Sequence, residues 1–187
     1  MGSGCRERSA VIAAGAAAIS CAVVLGAGSA VAQPPGAPAR CARRGPLHVA
    51  ADAWWRARTA MAPSGASAMR LCRYAGLNAR PSLKLKRAML VTDPETIARL
   101  VADLDALRPI RGAFSCPTSD GSQVLALLAY PNGHRVTISI ATGGCGIVTN
   151  GNLVRTIANR RHTNPVGTRL SRQLKRLVGA NVRLPRR

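Results

Sequence analysis

Two eight-residue runs, Gln123 to Tyr130 (QVLALLAY) and His134 to Ala141 (HRVTISIA), stand on either side of Asn132-Gly133. No other feature constrains the fold as tightly. Asn-Gly between alternating apolar runs is the strongest short-range signal for a two-residue hairpin turn. Such a turn pairs Pro131 with His134 and sets Ala129 opposite Val136, Leu127 opposite Ile138 and Leu125 opposite Ile140. All six are apolar and share a face, while Leu128 with Thr137 and Ala126 with Ser139 take the milder side. A slip of one residue would exchange the two faces, so this register is a definite expectation.

Other elements are placed around the hairpin. Met69 to Tyr74 reads as a short strand, and Ser82 to Val91 as a second, with Leu83, Leu85, Met89 and Val91 on one face and Lys84 and Lys86 on the other. Asp93-Pro94 opens a helix as N-cap and first turn, with a capping box over Thr92 and Glu95. Ile97, Leu100, Val101, Leu104 and Leu107 make its apolar stripe, and Pro109 ends it. Ile147 to Thr149 and Leu153 to Thr156 suit a small hairpin around Asn150-Gly151. A last helix is expected from Pro165 to Val178, capped by Asn164 and stopped by Gly179, with Leu170, Leu174, Leu177 and Val178 inward. This order predicts a small α+β domain, an antiparallel sheet with one or two packed helices, over residues 68–187.

The segments before it read differently. Arg6 and Arg8, the alanine-rich apolar run from Ala10 to Ala32 and the closing Ala30-Val31-Ala32 form a signal peptide over residues 1–32, cleaved after Ala32. Two competing readings are weaker. Ala18-Ile19-Ser20-Cys21 lacks the leucine of a lipoprotein box, and alanine is a poor residue for an uncleaved anchor. No transmembrane span is expected in the mature chain. Residues 33–67 read as a Pro/Ala-rich tether in which LHVAADAWWRARTAM forms at most a short helix. Four cysteines remain after the leader: Cys41, Cys72, Cys116 and Cys145. In an exported chain an even count reads as disulfides, of which four cysteines allow three pairings. The hairpin brings Cys116 and Cys145 beyond the outer ends of its two strands. Pro117, Gly121, Gly143 and Gly144 give loops that close the remaining gap. The expected bridges are therefore Cys116–Cys145 and Cys41–Cys72. A metal is not expected, because the cysteines lack short ligand spacings and the three histidines lie near none of them.

Charge is the remaining strong signal. The chain carries 27 basic and 7 acidic residues for a formal net charge of +20. The last acid is Asp120, and ten basic residues follow from Arg155 to Arg187. A field of this sign draws polyanions. Arginine outnumbers lysine 24 to 3 and alanine is abundant, so a GC-rich genome explains the choice of arginine. It explains less well why acids vanish from the last third. The candidate polyanion contacts are Arg155, Arg160, Arg161, Arg169, Arg172, Lys175 and Arg176. The region lacks the interleaved aromatics of a nucleic-acid platform, so nucleic acid is not the favoured partner.

Catalytic chemistry is thin. A cysteine nucleophile needs a nearby base, yet His134 sits at the far end of the hairpin, and no pattern brings His48 or His162 close. Asp103, four residues from Arg99, reads as one half of a solvated helix pair. No nucleophile elbow or phosphate loop occurs in the mature chain. No catalytic residue and no cofactor are assigned. Trp54 and Trp55 either pack on the sheet or stack on a sugar or partner beside Arg56 or Arg58.

CRYAGLN, LVTDPETIARLVADLDAL, FSCP-x-x-DG, AYPNG and GC-x-x-VTNG resemble small exported actinobacterial proteins of unassigned activity, over residues 69–156. That resemblance implies export and a fold unit and transfers no functional residue. The order helix, Cys-Pro loop, hairpin, Cys is also loosely similar to secreted subtilisin inhibitors. Their contact loop would correspond to Thr118-Ser119-Asp120, although the second cysteine pair that braces it is missing. The leading expectation is an exported, non-enzymatic module that contacts anionic cell-envelope or extracellular polymer through its arginine-rich C-terminal third. A secreted protease inhibitor and an envelope hydrolase are the alternatives.

Overall fold

The structure, a computed structural model, describes residues 36–110, 116, 118–157 and 164–182. The predicted leader and its cleavage site lie outside the described residues, and the fold below belongs to the unit Gln33–Arg187. Its elements are α1 (Trp55–Thr59), β1 (Ala68–Tyr74), β2 (Leu85–Val91), α2 (Pro94–Asp105), β3 (Arg108–Pro109), β4 (Gln123–Ala129), β5 (Arg135–Ala141), β6 (Ile147–Thr149), β7 (Val154–Thr156) and α3 (Pro165–Val178). One antiparallel sheet runs in the order β2-β1-β4-β5-β6-β7-β3. The expected α+β class and both expected bridges, Cys41–Cys72 and Cys116–Cys145, are present. Among the described residues no helix is long and apolar enough to cross a membrane.

The central hairpin forms in a register one residue away from the expected one. Leu128 pairs with Val136, Ala126 with Ile138 and Val124 with Ile140. The cause is Pro131. At the second position of a type I turn its fixed φ is favoured, with glycine suited to the fourth. The amide of Gly133 donates to Tyr130 O at 3.0 Å, and Tyr130 N donates to His134 O at 3.0 Å. Only Gly133 takes positive φ there, +83°. The loop is therefore three residues long, and Asn132 escapes the left-handed backbone a two-residue turn would impose. Val124, Ala126 and Leu128 join Val136, Ile138 and Ile140 in the main core, while Leu125 and Leu127 turn to the other face.

A second correction concerns β2. Tyr74 pairs with Leu85 but Arg73 pairs with Arg87, so Lys86 bulges. Leu85 joins Cys72, Tyr74 and Leu125 on one face, while Met89 and Val91 pack on the main core opposite. The four alternating apolar residues therefore do not share a face, and Leu83 lies before the strand with φ +54°.

Both long helices form as their end signals predict. Asp93 caps α2 by accepting from Thr96 N at 2.8 Å, and hydrogen bonding from Thr96 holds its carboxyl below the ordinary 3.8. Asn164 caps α3, whose C-terminal turn closes on Gly179 in the left-handed conformation. Glu95 does not complete a capping box with Thr92; its carboxylate pairs with Arg99 at 3.2 Å.

Residues 36–67 do not behave as a loose tether. Trp54, Ala57, Met61 and Ala62 are buried in the main core beside α2 and α3 residues. Asn150, fully buried, donates through Nδ2 to the carbonyls of Ala57 (2.8 Å), Ala60 (3.1 Å) and Met61 (3.1 Å). Its Oδ1 accepts from the amides of Asn152 and Leu153. The β6–β7 turn thereby terminates α1, a helix with no side-chain N-cap of its own. Upstream, Cys41 and Val49 pack over Cys72, Tyr74 and Leu125 on the opposite sheet face. Composition missed this because alanine and proline bury as readily as they extend; the tryptophan was the signal.

Candidate anion-binding site

The seven candidate cations divide once their surroundings are known. Arg160 and Arg161 lie outside the described residues. Arg155, on β7, donates Nη1 to the carbonyls of Asp105 (2.9 Å) and Leu107 (2.6 Å), closing the C-terminal end of α2. Cations are favourable there because helix C-terminal carbonyls lack intrahelical partners. Arg169 sends Nε and Nη2 to Asp103 Oδ1 at 3.2 and 2.8 Å, and Gln173 Nε2 reaches Oδ2 at 3.1 Å. Asp103 is buried and cross-links α2 to α3; it is not the solvated partner of Arg99. Arg155 and Arg169 thus have structural work.

Arg172, Lys175 and Arg176 differ. All three are exposed, Arg172 lies three and four residues before the other two on α3, and none of the three side chains has a hydrogen bond or ion pair to any described residue. That spacing puts them on one helix face. Only two ion pairs occur among the described residues, because the acids serve elsewhere. Asp52 accepts from Trp54 N, Asp93 caps α2 and Asp105 accepts from Ala62 N. The opposite helix face, with Leu170, Leu174 and Val178 buried, fixes which way the cations point.

Beyond the end of α3 lies a polar cleft of about 650 Å3, lined among others by Arg73, Lys86, Asp120, Ser122, Thr142 and Asn181. Ser122 Oγ donates to Asp120 Oδ1 at 2.6 Å and lies 2.7 Å from Thr142 Oγ1. A carboxylate only accepts, so the threonine is the donor to the serine. Arg73 and Lys86 were not among the predicted contacts. Their shared cleft depends on the β2 bulge, which no local sequence pattern announces.

The remaining candidates are quickly placed. Trp54 is buried, 4.8 Å edge-on from Tyr130 and stacked on His134 at 4.5 Å, with the Arg56 guanidinium 5.3 Å from its ring. Tyr130 donates to Pro63 O at 2.7 Å, and its burial pushes the phenol pKa far above the ordinary 10.0. Trp55 is exposed. Thr118 and Ser119 are exposed too, but the Asp120 carbonyl accepts from Leu77 N at 2.7 Å. Among the described residues no three His, Cys, Asp or Glu side chains gather closely enough to hold a metal ion. No protein-family model matches the chain, and no curated protein or solved structure shows significant similarity to it.

Proposed function

We propose that this protein is exported and acts without catalysis, binding anionic cell-envelope or extracellular polymer through the outer face of α3. One observation carries the reading: Arg172, Lys175 and Arg176 stand together in solvent with no carboxylate partner among the described residues, while Arg155 and Arg169 are consumed by the fold. Unpaired cations on a rigid helix meet a polyanion without first breaking an internal ion pair, and long-range attraction speeds the encounter. Two disulfides accord with an oxidising compartment. The test is retention of the disulfide-intact protein on immobilised anionic polysaccharide or teichoic-acid-type polymer. Retention should fall steeply with salt and weaken in the variant Arg172→Gln/Lys175→Gln/Arg176→Gln. The protease-inhibitor alternative is disfavoured because the loop after Cys116 is tied to Leu77 through Asp120, leaving little free chain to enter a protease.

A further inference from the structure

Arg73 and Arg87 are direct partners across β1 and β2. Like charges in that position oppose folding, and neither guanidinium forms an ion pair or side-chain hydrogen bond with any described residue. They stand on the same sheet face as Leu71 and Met89, which pack under the helices. Both guanidinium groups reach one place. A Cβ built on Gly179 would lie 3.2 Å from Arg73 Nη1 and 3.9 Å from Arg87 Nη1. That is the C-terminal end of α3, where the partial negative charge of the helix offsets a little of the repulsion. Against the two arginines and Lys86 stand about half an elementary charge from the helix end and the Asp120 carboxylate across the cleft, so a net positive site remains. Lys86, thrown outward by the bulge, lines the adjoining cleft with Arg73. The far wall is Thr142, Ser122 and Asp120, held in one hydrogen-bonded chain.

We infer that this cleft is a discrete binding site for a single anionic group, a phosphate or a carboxylate on a sugar-sized unit, held by Arg73 and Lys86, which line it, with Arg87 beside Arg73 near Gly179 adding to the local positive charge. The volume of about 650 Å3 lies within the range of small-molecule sites and suits one or two sugar units rather than a polymer. Planar guanidinium groups bind both anions through paired N–H donors, which accounts for two arginines kept opposite each other at a cost in stability. The inference rests on the polyanion reading for where such a unit comes from: the polymer lies along α3 and one charged unit seats in the cleft at its end.

The experiment is calorimetric titration of the disulfide-intact protein with glycerol phosphate and, separately, with glucuronate, at low salt. One saturable site is expected for at least one of them. A phosphate-only response points to a phosphodiester polymer, a glucuronate-only response to a uronic-acid polymer, and either supports the site. Arg73→Gln and Lys86→Gln should each weaken that affinity about tenfold or more, the range for losing a charged hydrogen bond, and Arg87→Gln should weaken it less. The Arg172→Gln/Lys175→Gln/Arg176→Gln variant should keep small-anion affinity within about twofold after allowance for screening. Thermal unfolding separates binding from structure: without ligand, Arg73→Gln should melt no lower than the parent, and added ligand should raise the parent's midpoint but not the variant's. Absence of a saturable site for both anions, or unchanged affinity in both the Arg73 and Lys86 variants, overturns the inference. Loss of polymer retention in the α3 variant with small-anion binding intact leaves both readings standing; retained polymer binding there would sink the α3 reading while sparing the cleft.

Discussion

Asn150 is where one side chain does most for this fold. Its Nδ2 meets three carbonyls at the end of α1 and its Oδ1 meets two turn amides, with the side chain itself fully buried. Replacing it with alanine strands several of these groups at about 1–3 kcal/mol each, partly relieved by relaxation. A net loss of about 3 kcal/mol is expected, or about 6–12 °C in thermal midpoint for a chain of this size. The Asp103–Arg169 contact should be asymmetric, because Asp103 is buried whereas the Arg169 side chain is half exposed at 51%. Arg169→Leu leaves a buried carboxylate with one neutral partner, at a cost of about 2–3 kcal/mol, while Asp103→Asn lets the arginine turn to water for about 1 kcal/mol. Urea unfolding of the two variants checks the order; equal costs would contradict it. Tyr130 gives a pH signature. Its folded pKa is raised by desolvation, so the fold binds the phenolic proton more tightly than the unfolded chain. Its contribution is fully present below the ordinary 10.0 and drains away as pH rises above it. Tyr130→Phe should flatten that alkaline loss in a urea series from about pH 8 to 11, and cost about 1 kcal/mol at neutral pH through the lost bond to Pro63.

At the scale of elements, local signals with a mechanism were legible and those that depend on partners were not. Asp93-Pro94 and Asn164-Pro165 with Gly179 mark both long helices because capping is chemistry of adjacent residues. Asn132-Gly133 marks the hairpin, but its register turned on Pro131, which prefers a three-residue loop and moves every side chain of β4 to the opposite face from the expected one. The β2 bulge and the Asp103–Arg169 bridge each need a distant element and carry no signature in the sequence, and the burial of Ala57, Met61 and Ala62 was marked only by the neighbouring Trp54. The register account makes its own prediction. Gly133 has open space where a Cβ would go, so Gly133→Ala should cost only the left-handed backbone strain, about 1 kcal/mol, with the fold retained. A double change, Pro131→Asn with Asn132→Gly, should favour a two-residue turn and destabilise the domain, since the matching register exposes Val124 and Leu128. Cross-strand NOEs between residues 128 and 136 read the register directly.

For the whole molecule, charge and crosslinks set the behaviour. Each bridge joins cysteines 29 or 31 residues apart, and loops of that length are worth roughly 3–4 kcal/mol in the chain-entropy account. Cys116 is exposed whereas Cys72 is fully buried, so mild reductant should open Cys116–Cys145 first, read by alkylation and peptide mass. The excess positive charge has two origins that only position can separate: composition spreads arginine everywhere, whereas function requires it in one place. Charge-matched variants separate them. Arg172→Gln/Lys175→Gln/Arg176→Gln strips the outer face of α3, and Arg40→Gln/Arg43→Gln/Arg44→Gln removes the same net charge from exposed positions in the N-terminal segment. The decisive measurement is the salt concentration that elutes each form from the host's own cell envelopes. Elution of the α3 variant at markedly lower salt, with the N-terminal variant close to the parent, is the result expected of a polymer-binding face. Equal shifts in the two variants would show that only total charge matters and would contradict it.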